Sequence, residues 1–166
     1  QSLFKKDFAP GPTEGWGLAD GALFDQLVPV LEKLPHPFFA FVITLSLHYP
    51  FDFFPPALAE LDLRTIKNRN LANYIHGMHY FDRSIRALVR RLDETGLLRD
   101  TVVAFYGDHD PRFGFDPELL QLAGFDHVGT GVFQLLDRIP FFVILPKTAS
   151  ADGGLDGVHV VDAVGG

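Results

Sequence analysis

Asp108 and His109 stand side by side at the outgoing end of the apolar, β-branched run Thr101-Val-Val-Ala-Phe-Tyr106, separated from it only by Gly107. A carboxylate oxygen and an imidazole nitrogen suit Zn²⁺ or Mn²⁺, whose sites mix oxygen and nitrogen donors. Ligands of open α/β sheets lie beyond the carboxyl ends of the strands, so the pair is expected on an active-site rim. The same tripeptide is also ordinary turn chemistry, because Asp is favoured wherever a strand gives way to a turn. His48 follows a second apolar run, Phe38 to Leu45, about sixty residues earlier. It is a candidate donor to a phosphoryl or sulfuryl oxygen, and equally a strand-end histidine bonding the next loop. Arg112 is a further candidate, since a guanidinium engages such oxygens in bidentate fashion.

Other residues invite chemistry and are better explained by structure. His76 and His79 share a helical spacing that can serve one metal, yet no carboxylate or third histidine is suitably spaced, and Ile75 and Met78 supply a buried stripe beside them. Asp82 falls on that stripe, where an unpaired carboxylate is costly, so it is expected to pair with an Arg or to cap a loop. The Phe-rich segment from Phe51 to Phe54 reads as local core in preference to a lipid-contacting lip. Gly129-Thr-Gly131 lacks the strand and the lysine of a phosphate-binding loop. Thr44, Thr65 and Thr101 have ordinary structural explanations, so no nucleophile is assigned within this chain.

The elements that must position these residues follow from pattern. Residues 1 to 20 are rich in Gly, Pro and turn formers, with 1–15 an irregular lead-in and Asp20 a helix N-cap. Leu23, Phe24, Leu27, Val28, Val30, Leu31 and Leu34 give one amphipathic helix kinked at Pro29 and stopped by Pro35-His-Pro37. Phe38 to Leu45 reads as a buried strand, and the proline-bearing stretch 50–63 as a loop over the site. Apolar spacing predicts a long helix from Asn70 to Leu92, ended by Thr95-Gly96, with Arg90 and Arg91 favourable to its dipole. The strand Thr101 to Tyr106, a short helix near Pro117 to Ala123, a strand from Arg138 to Pro146 beginning at Pro140, and a short element in Val158 to Val164 complete the order. The predicted class is α/β, a mostly parallel sheet flanked by helices, with His48 and the Asp108-His109 pair on a common edge.

The chain has 166 residues, 47% apolar and 21% charged, with 17 Phe, which describes one globular domain with a sizeable core. A formal charge of −7 with no basic block argues against nucleic acid as a partner, and an anionic substrate then needs a metal or a few placed Arg and His residues. With no cysteine, disulfides, thiolate sites and a Cys nucleophile are excluded from this segment, which leaves the redox compartment open. No stretch approaches the ~20 apolar residues of a membrane span, and the start has no signal-peptide pattern. The absence of an initiator Met and the abrupt end at Gly165-Gly166 suggest a piece of something longer.

Five motifs occur in order: Trp16-Gly-Leu-Ala-Asp20, Phe41-Val-Ile-Thr-Leu-Ser-Leu-His-Tyr-Pro-Phe51, Tyr80-Phe-Asp-Arg-Ser-Ile85, Gly107-Asp-His109 and Arg138-Ile-Pro-Phe-Phe142. From Trp16 to Pro146 they resemble the catalytic domain of lipoteichoic acid synthases and related phosphoglycerol transferases, in the sulfatase-like branch of the alkaline phosphatase superfamily. The resemblance implies that residues 1–166 are the C-terminal portion of such a domain. It implies that Asp108 and His109 bind a divalent ion, manganese or magnesium foremost and zinc as the other candidate. It also implies that His48 contacts the phosphoglycerol head group, with Trp16 in a substrate-site strip. Two departures stand out: Leu18 occupies the neighbourhood where an arginine is expected, and Asp110-Pro-Arg-Phe-Gly114 replaces the usual Tyr-Gly type of continuation.

In such an enzyme a threonine nucleophile and an acidic metal ligand precede this region, after several membrane spans. The implied function is phosphoglycerol transfer from a phosphatidylglycerol-type lipid, through a covalent intermediate, to a glycerophosphate or glycan acceptor of the cell envelope. The location is extracytoplasmic, periplasmic or on the outer face of the cell membrane, and the fragment alone is expected to be inactive. The alternatives are a sulfatase or phosphoethanolamine transferase of the same superfamily, or a non-catalytic anion-binding domain.

Overall fold

The computed structural model describes residues 2–126, 138–146 and the backbone of 159–160, and the chain divides into two compact units, Gln1–Leu92 and Asp93–Gly166.

The first unit is built on two helices. Helix α1, Asp20–Leu31, buries Phe24, Leu27, Val28 and Leu31 along one side. It passes through Pro29, whose missing N–H leaves the Asp25 carbonyl without its helical donor, and ends before Leu34, where the chain leaves through turns that close on Val30 and Leu31. Helix α2, Arg69–Glu94, starts under Asn68, whose side-chain oxygen accepts the backbone N–H groups of Asn70 and Leu71 at 3.1 and 3.2 Å. Its buried side runs through Leu71, Gly77, Ser84, Leu88 and Leu92. Met78, expected on the buried stripe, is exposed instead, and so is Asp82, which forms an i,i+4 pair with Arg86 at 3.7 Å. The face is shifted because its small members, Gly77 and Ser84, are invisible to a search for apolar spacing.

Those small residues permit close contact. A Cβ on Gly21 of α1 would lie 2.7 Å from the Tyr80 hydroxyl and 3.2 Å from Ser84 Oγ. Tyr80 accepts the Gly21 N–H at 3.2 Å, and Arg91 pairs with Asp25 at 2.5 Å farther along the same helices. Gly21→Ala is therefore expected to destabilise the protein by about 1–3 kcal/mol, the usual cost of overpacking. A thermal midpoint equal to wild type in the intact protein would show that α1 and α2 do not need this approach.

Two expectations for this unit are corrected. Residues 13–18 are ordered as a hairpin, β1 (Thr13–Glu14) against β2 (Gly17–Leu18), turned by Gly15 at φ +54° with Trp16 at the tip. Phe38 to Leu45 is not a strand: no ladder partner for it exists among the described residues, and Phe39, Phe41 and Ile43 are exposed, Phe39 at 89%. A continuous apolar run gives the composition of a buried strand, but the strand itself requires a paired backbone. The following segment is a loop, as expected, with Phe51 and Phe54 buried and Phe53 exposed. Phe51 packs edge-on against Tyr74, and its carbonyl accepts the Asn73 side-chain N–H at 2.8 Å.

In the second unit Gly96, at φ +80°, ends the long helix, and β3 spans Val103–Tyr106. The short helix α3, Pro117–Leu122, has Pro at its first turn and Asp116 as N-cap, accepting from Glu118 and Leu119 at 3.0 Å each. Gly124 and Phe125 close it with bonds to Gln121 and Leu120, a Schellman stop. Strand β4, Phe141–Ile144, pairs antiparallel with β3, and β5, His159–Val160, pairs antiparallel with β4. The parallel pairing expected of these strands is thus not found among the described residues. Pro140 precedes β4 instead of opening it, and its carbonyl accepts the Gly107 N–H at 3.2 Å. The Gly129–Gly131 segment lies outside the described residues.

Candidate functional site

In the second unit the β3–β4 register ends at Tyr106 opposite Phe141, so the chain leaves the ladder at Gly107 and presents Asp108 and His109 directly beyond it. A Cβ at Gly107 would fall 2.9 Å from the Ile139 side chain, which would have to shift to admit it. His109 Nδ1 lies 2.7 Å from the Asp110 carbonyl oxygen. A carbonyl only accepts, so Nδ1 carries the proton and Nε2 keeps a lone pair, the arrangement a metal-ligating histidine needs. That Nε2 stands 3.8 Å from Asp108 Oδ2. Two donors each about 2.1 Å from one ion are at most roughly 4.2 Å apart, so this separation can span a divalent cation. No group of three or more His, Asp or Glu suited to a metal occurs among the described residues. Arg112 is exposed at φ +60°, with its backbone N–H donating to Asp110 Oδ2 at 2.8 Å.

In the first unit Trp16 and His48 are brought together although 32 residues separate them, with ring centroids 4.2 Å apart and planes tilted by 39°. Trp16 is exposed at the hairpin tip, and His48 is half-buried in a turn closed by its own N–H on the Leu45 carbonyl at 3.1 Å. His48 Nδ1 lies 2.6 Å from the Tyr49 carbonyl oxygen. Nδ1 is therefore the donor, and Nε2 donates outward as well only when the ring is an imidazolium. His76 and His79 do not converge: His76 stacks on Phe54 at 5.3 Å and His79 faces Glu60, which also pairs with Arg83. Burial, reinforced by His79, pushes the His76 imidazole below its ordinary value.

Close in sequence to Trp16 and His48 is a buried polar cluster that apolar patterning does not reveal. Asp20 is fully buried, and Glu14 and Ser46 are each 5% exposed. Asp20 is the first residue of α1, with Ala19 in the N-cap position. Its Oδ1 accepts the N–H groups of Leu45 and Ser46 at 3.2 and 3.3 Å, while its own N–H donates to Ser46 Oγ at 2.9 Å. The expected capping role is replaced by this cross-link because the carboxylate satisfies amides 25 and 26 residues away. Desolvation raises the Asp20 carboxyl above its ordinary value, against the Ser46 and backbone bonds. Desolvation likewise raises Glu14 to about 7, with the Ser46 hydroxyl acting against it and the Asp20 charge adding to it.

A raised carboxyl stabilises the folded state below its unfolded value, and this contribution is lost as pH climbs toward the folded value. The thermal stability of the intact protein should thus fall between about pH 4.5 and 7 through Glu14. Glu14→Gln should remove that component, on the order of 2–3 kcal/mol. Superimposable pH profiles for the two proteins would show that Glu14 ionises freely in the fold.

The family model described as Sulfatase matches residues 2–163. The lipoteichoic acid synthase-like protein YvgJ of Bacillus subtilis (strain 168) is 28% identical over 144 residues, covering 82% of this chain and 22% of its own length. A lipoteichoic acid synthase of Staphylococcus saprophyticus is 33% identical over 144 residues, covering 84% of this chain and 22% of its own length. The crystal structure of the lipoteichoic acid synthase LtaP from Listeria monocytogenes matches with a TM-score of 0.71 at 31% identity, over 86% of this chain and 36% of that one. The chain spans about a fifth of the length of these curated relatives. Together with the α/β class and the ordered motifs, these matches show that the chain belongs to the sulfatase family, as a lipoteichoic acid synthase-like member of the alkaline phosphatase superfamily.

Proposed function

We propose that this chain is part of a metal-dependent phosphoglycerol transferase that uses a phosphatidylglycerol-type lipid to build or modify a glycerophosphate polymer or glycan of the cell envelope. The observation that carries the reading is the pair of main-chain-locked imidazoles, His48 beside Trp16 and His109 beside Asp108, each with Nε2 directed away from its own backbone bond. Asp108 and His109 supply two donors of a cation site. The other ligands and the threonine nucleophile belong to the remainder of the intact enzyme. When bound, the divalent ion, manganese or magnesium foremost, stabilises developing negative charge as a Lewis acid.

His48, as the imidazolium, donates from Nε2 to a non-bridging phosphoryl oxygen, and Trp16 walls one face of that ring. Arg112 is placed near enough in sequence to the Asp108-His109 pair to assist with anionic oxygens. In the reaction the threonine oxygen of the intact enzyme forms a bond to phosphorus as the bond between phosphorus and the diacylglycerol oxygen breaks, and the acceptor hydroxyl oxygen then bonds to phosphorus as the phosphorus–threonine bond breaks, the proton of each attacking hydroxyl passing in net to the departing oxygen. The intact protein would work at the outer face of the membrane, where its lipid donor lies; no described helix is long and apolar enough to cross a membrane.

The test uses the intact protein in liposomes containing phosphatidylglycerol labelled in its head group, with Mn²⁺ supplied. Growth of a labelled glycerophosphate product matched by diacylglycerol release is expected. Preference for a sulfate ester or for phosphatidylethanolamine overturns the donor assignment. The isolated 166-residue chain should show no turnover in the same assay, and a metal-dependent rate abolished by Asp108→Ala would show that this chain carries a complete site.

A further inference from the structure

Two buried carboxyl groups, close in sequence to Trp16 and His48, share one hydroxyl. Ser46 Oγ faces both Glu14 and Asp20, and one oxygen of each, Glu14 Oε2 and Asp20 Oδ2, has no hydrogen-bond partner. The Ser46 hydroxyl has a single proton and can donate to only one carboxylate. Asp20 already accepts two main-chain N–H groups, which suits it to the ionised form. Among the described residues Glu14 receives no main-chain bond, so ionising it would leave a second buried negative charge beside the first.

The same three residues join the two segments that bear the candidate head-group contacts. Glu14 lies in β1, two residues before Trp16, and Ser46 lies two residues before His48. Asp20 ties the start of α1 to the Leu45–Ser46 main chain, and Gly17 packs closely on the Leu45 side chain, where a Cβ would lie 2.7 Å from its Cδ1. Helix α2 closes the cluster from the other side at Gly77, where a Cβ would lie 3.1 Å from Leu47 and 3.5 Å from Glu14 Oε1.

We propose that Glu14, Asp20 and Ser46 are positioning residues for the head-group site, with Glu14 protonated when the Trp16 hairpin is held against the His48 turn. This rests on reading Trp16 and His48 as substrate contacts. The titratable groups facing Glu14 are Asp20 at the start of α1 and Tyr80 on α2, whose hydroxyl both carboxyls influence. Loss of the Glu14 proton loosens the hairpin and weakens lipid binding, while the Asp108-His109 half of the chemistry is untouched.

The experiment measures kcat and KM of the intact enzyme for phosphatidylglycerol from pH 5.5 to 8.5, for wild type, Glu14→Gln and Ser46→Ala. Wild-type KM is expected to rise roughly tenfold across this range, a change of about one decade in binding. Glu14→Gln, which fixes the neutral form, should make that rise smaller than in wild type, the remainder belonging to loss of the His48 imidazolium, and Ser46→Ala should raise KM at every pH more than it lowers kcat. A Glu14→Gln profile that follows wild type, or a Ser46→Ala effect confined to kcat, overturns the positioning role. His48→Ala and Trp16→Ala, measured at pH 5.5, separate the two ideas. If neither changes kcat/KM, the head-group reading itself is wrong. If they lower it while Glu14→Gln follows wild type, only the proton-dependent cluster is wrong.

Discussion

Replacing Asp108 with alanine in the intact enzyme is expected to remove the bound divalent ion and to lower transfer by roughly a thousandfold. The magnitude follows from the several kcal/mol that a Lewis-acid ion contributes to a phosphoryl transition state, at about 1.36 kcal/mol per tenfold of rate. The structural reason is local. Asp108 is placed one residue after Gly107, where the β3–β4 ladder ends, and its carboxylate lies 3.8 Å from the only ring nitrogen that His109 leaves unprotonated. The carboxylate is exposed and holds no buried network together, so its loss should cost catalysis without unfolding the protein. The measurement is metal content by elemental analysis alongside turnover, with added Mn²⁺ varied. Full metal content with full activity in the variant would remove Asp108 from the site.

The second large effect is expected at His48 and has the opposite signature. His48→Ala should reduce turnover by about a hundred- to a thousandfold, the range seen when one donor to a developing oxyanion is deleted. Metal content should stay at the wild-type level. His48 Nδ1 is committed to the Tyr49 carbonyl at 2.6 Å, so only Nε2 is available to an external ligand. Its close neighbour is the Trp16 ring at 4.2 Å. An aromatic wall suits a head-group contact better than a cation site, whose neighbours are ordinarily hydrogen-bonded carboxylates and carbonyls. Loss of metal in His48→Ala would make the residue a ligand or a support of one. His48→Gln offers a neutral donor in a similar place, and partial recovery of rate there would identify hydrogen bonding as the function.

Much of the scaffold was legible in the sequence where a periodic pattern coincided with a local stop. Helix α2 was foreseen within two residues at each end, because its apolar spacing is long and Gly96 supplies the left-handed residue that ends it. The short helix expected near Pro117 to Ala123 is found at Pro117–Leu122, and β3 was legible through its run of β-formers. What failed was inference from composition without a partner. Phe38 to Leu45 has the residues of a buried strand, yet pairing is a property of two segments and no single run encodes it. Hairpin β1–β2 was missed because two-residue strands are too short to establish alternation.

The candidate site was legible in its titratable parts and illegible in its support. Asp108, His109 and His48 were singled out from position alone, and the structure sets Asp108 beside His109 and Trp16 beside His48. Glu14, Asp20 and Ser46 were not seen as a group, since a buried carboxylate breaks the apolar pattern that defines a core. The available signal was Asp20 itself, flanked by Leu18-Ala19 and Leu23-Phe24, where a carboxylate has little access to water unless something satisfies it.

Both imidazoles are oriented by the carbonyl of the very next residue, Tyr49 for His48 and Asp110 for His109. Every amino acid carries that carbonyl, so no point substitution at position 49 or 110 can delete the acceptor. The steering of these rings is therefore written in the peptide chain and insulated from drift in its side chains. The loop that follows Asp108-His109 can therefore change its side chains, Asp110-Pro-Arg-Phe-Gly114 included, and keep the ring aimed.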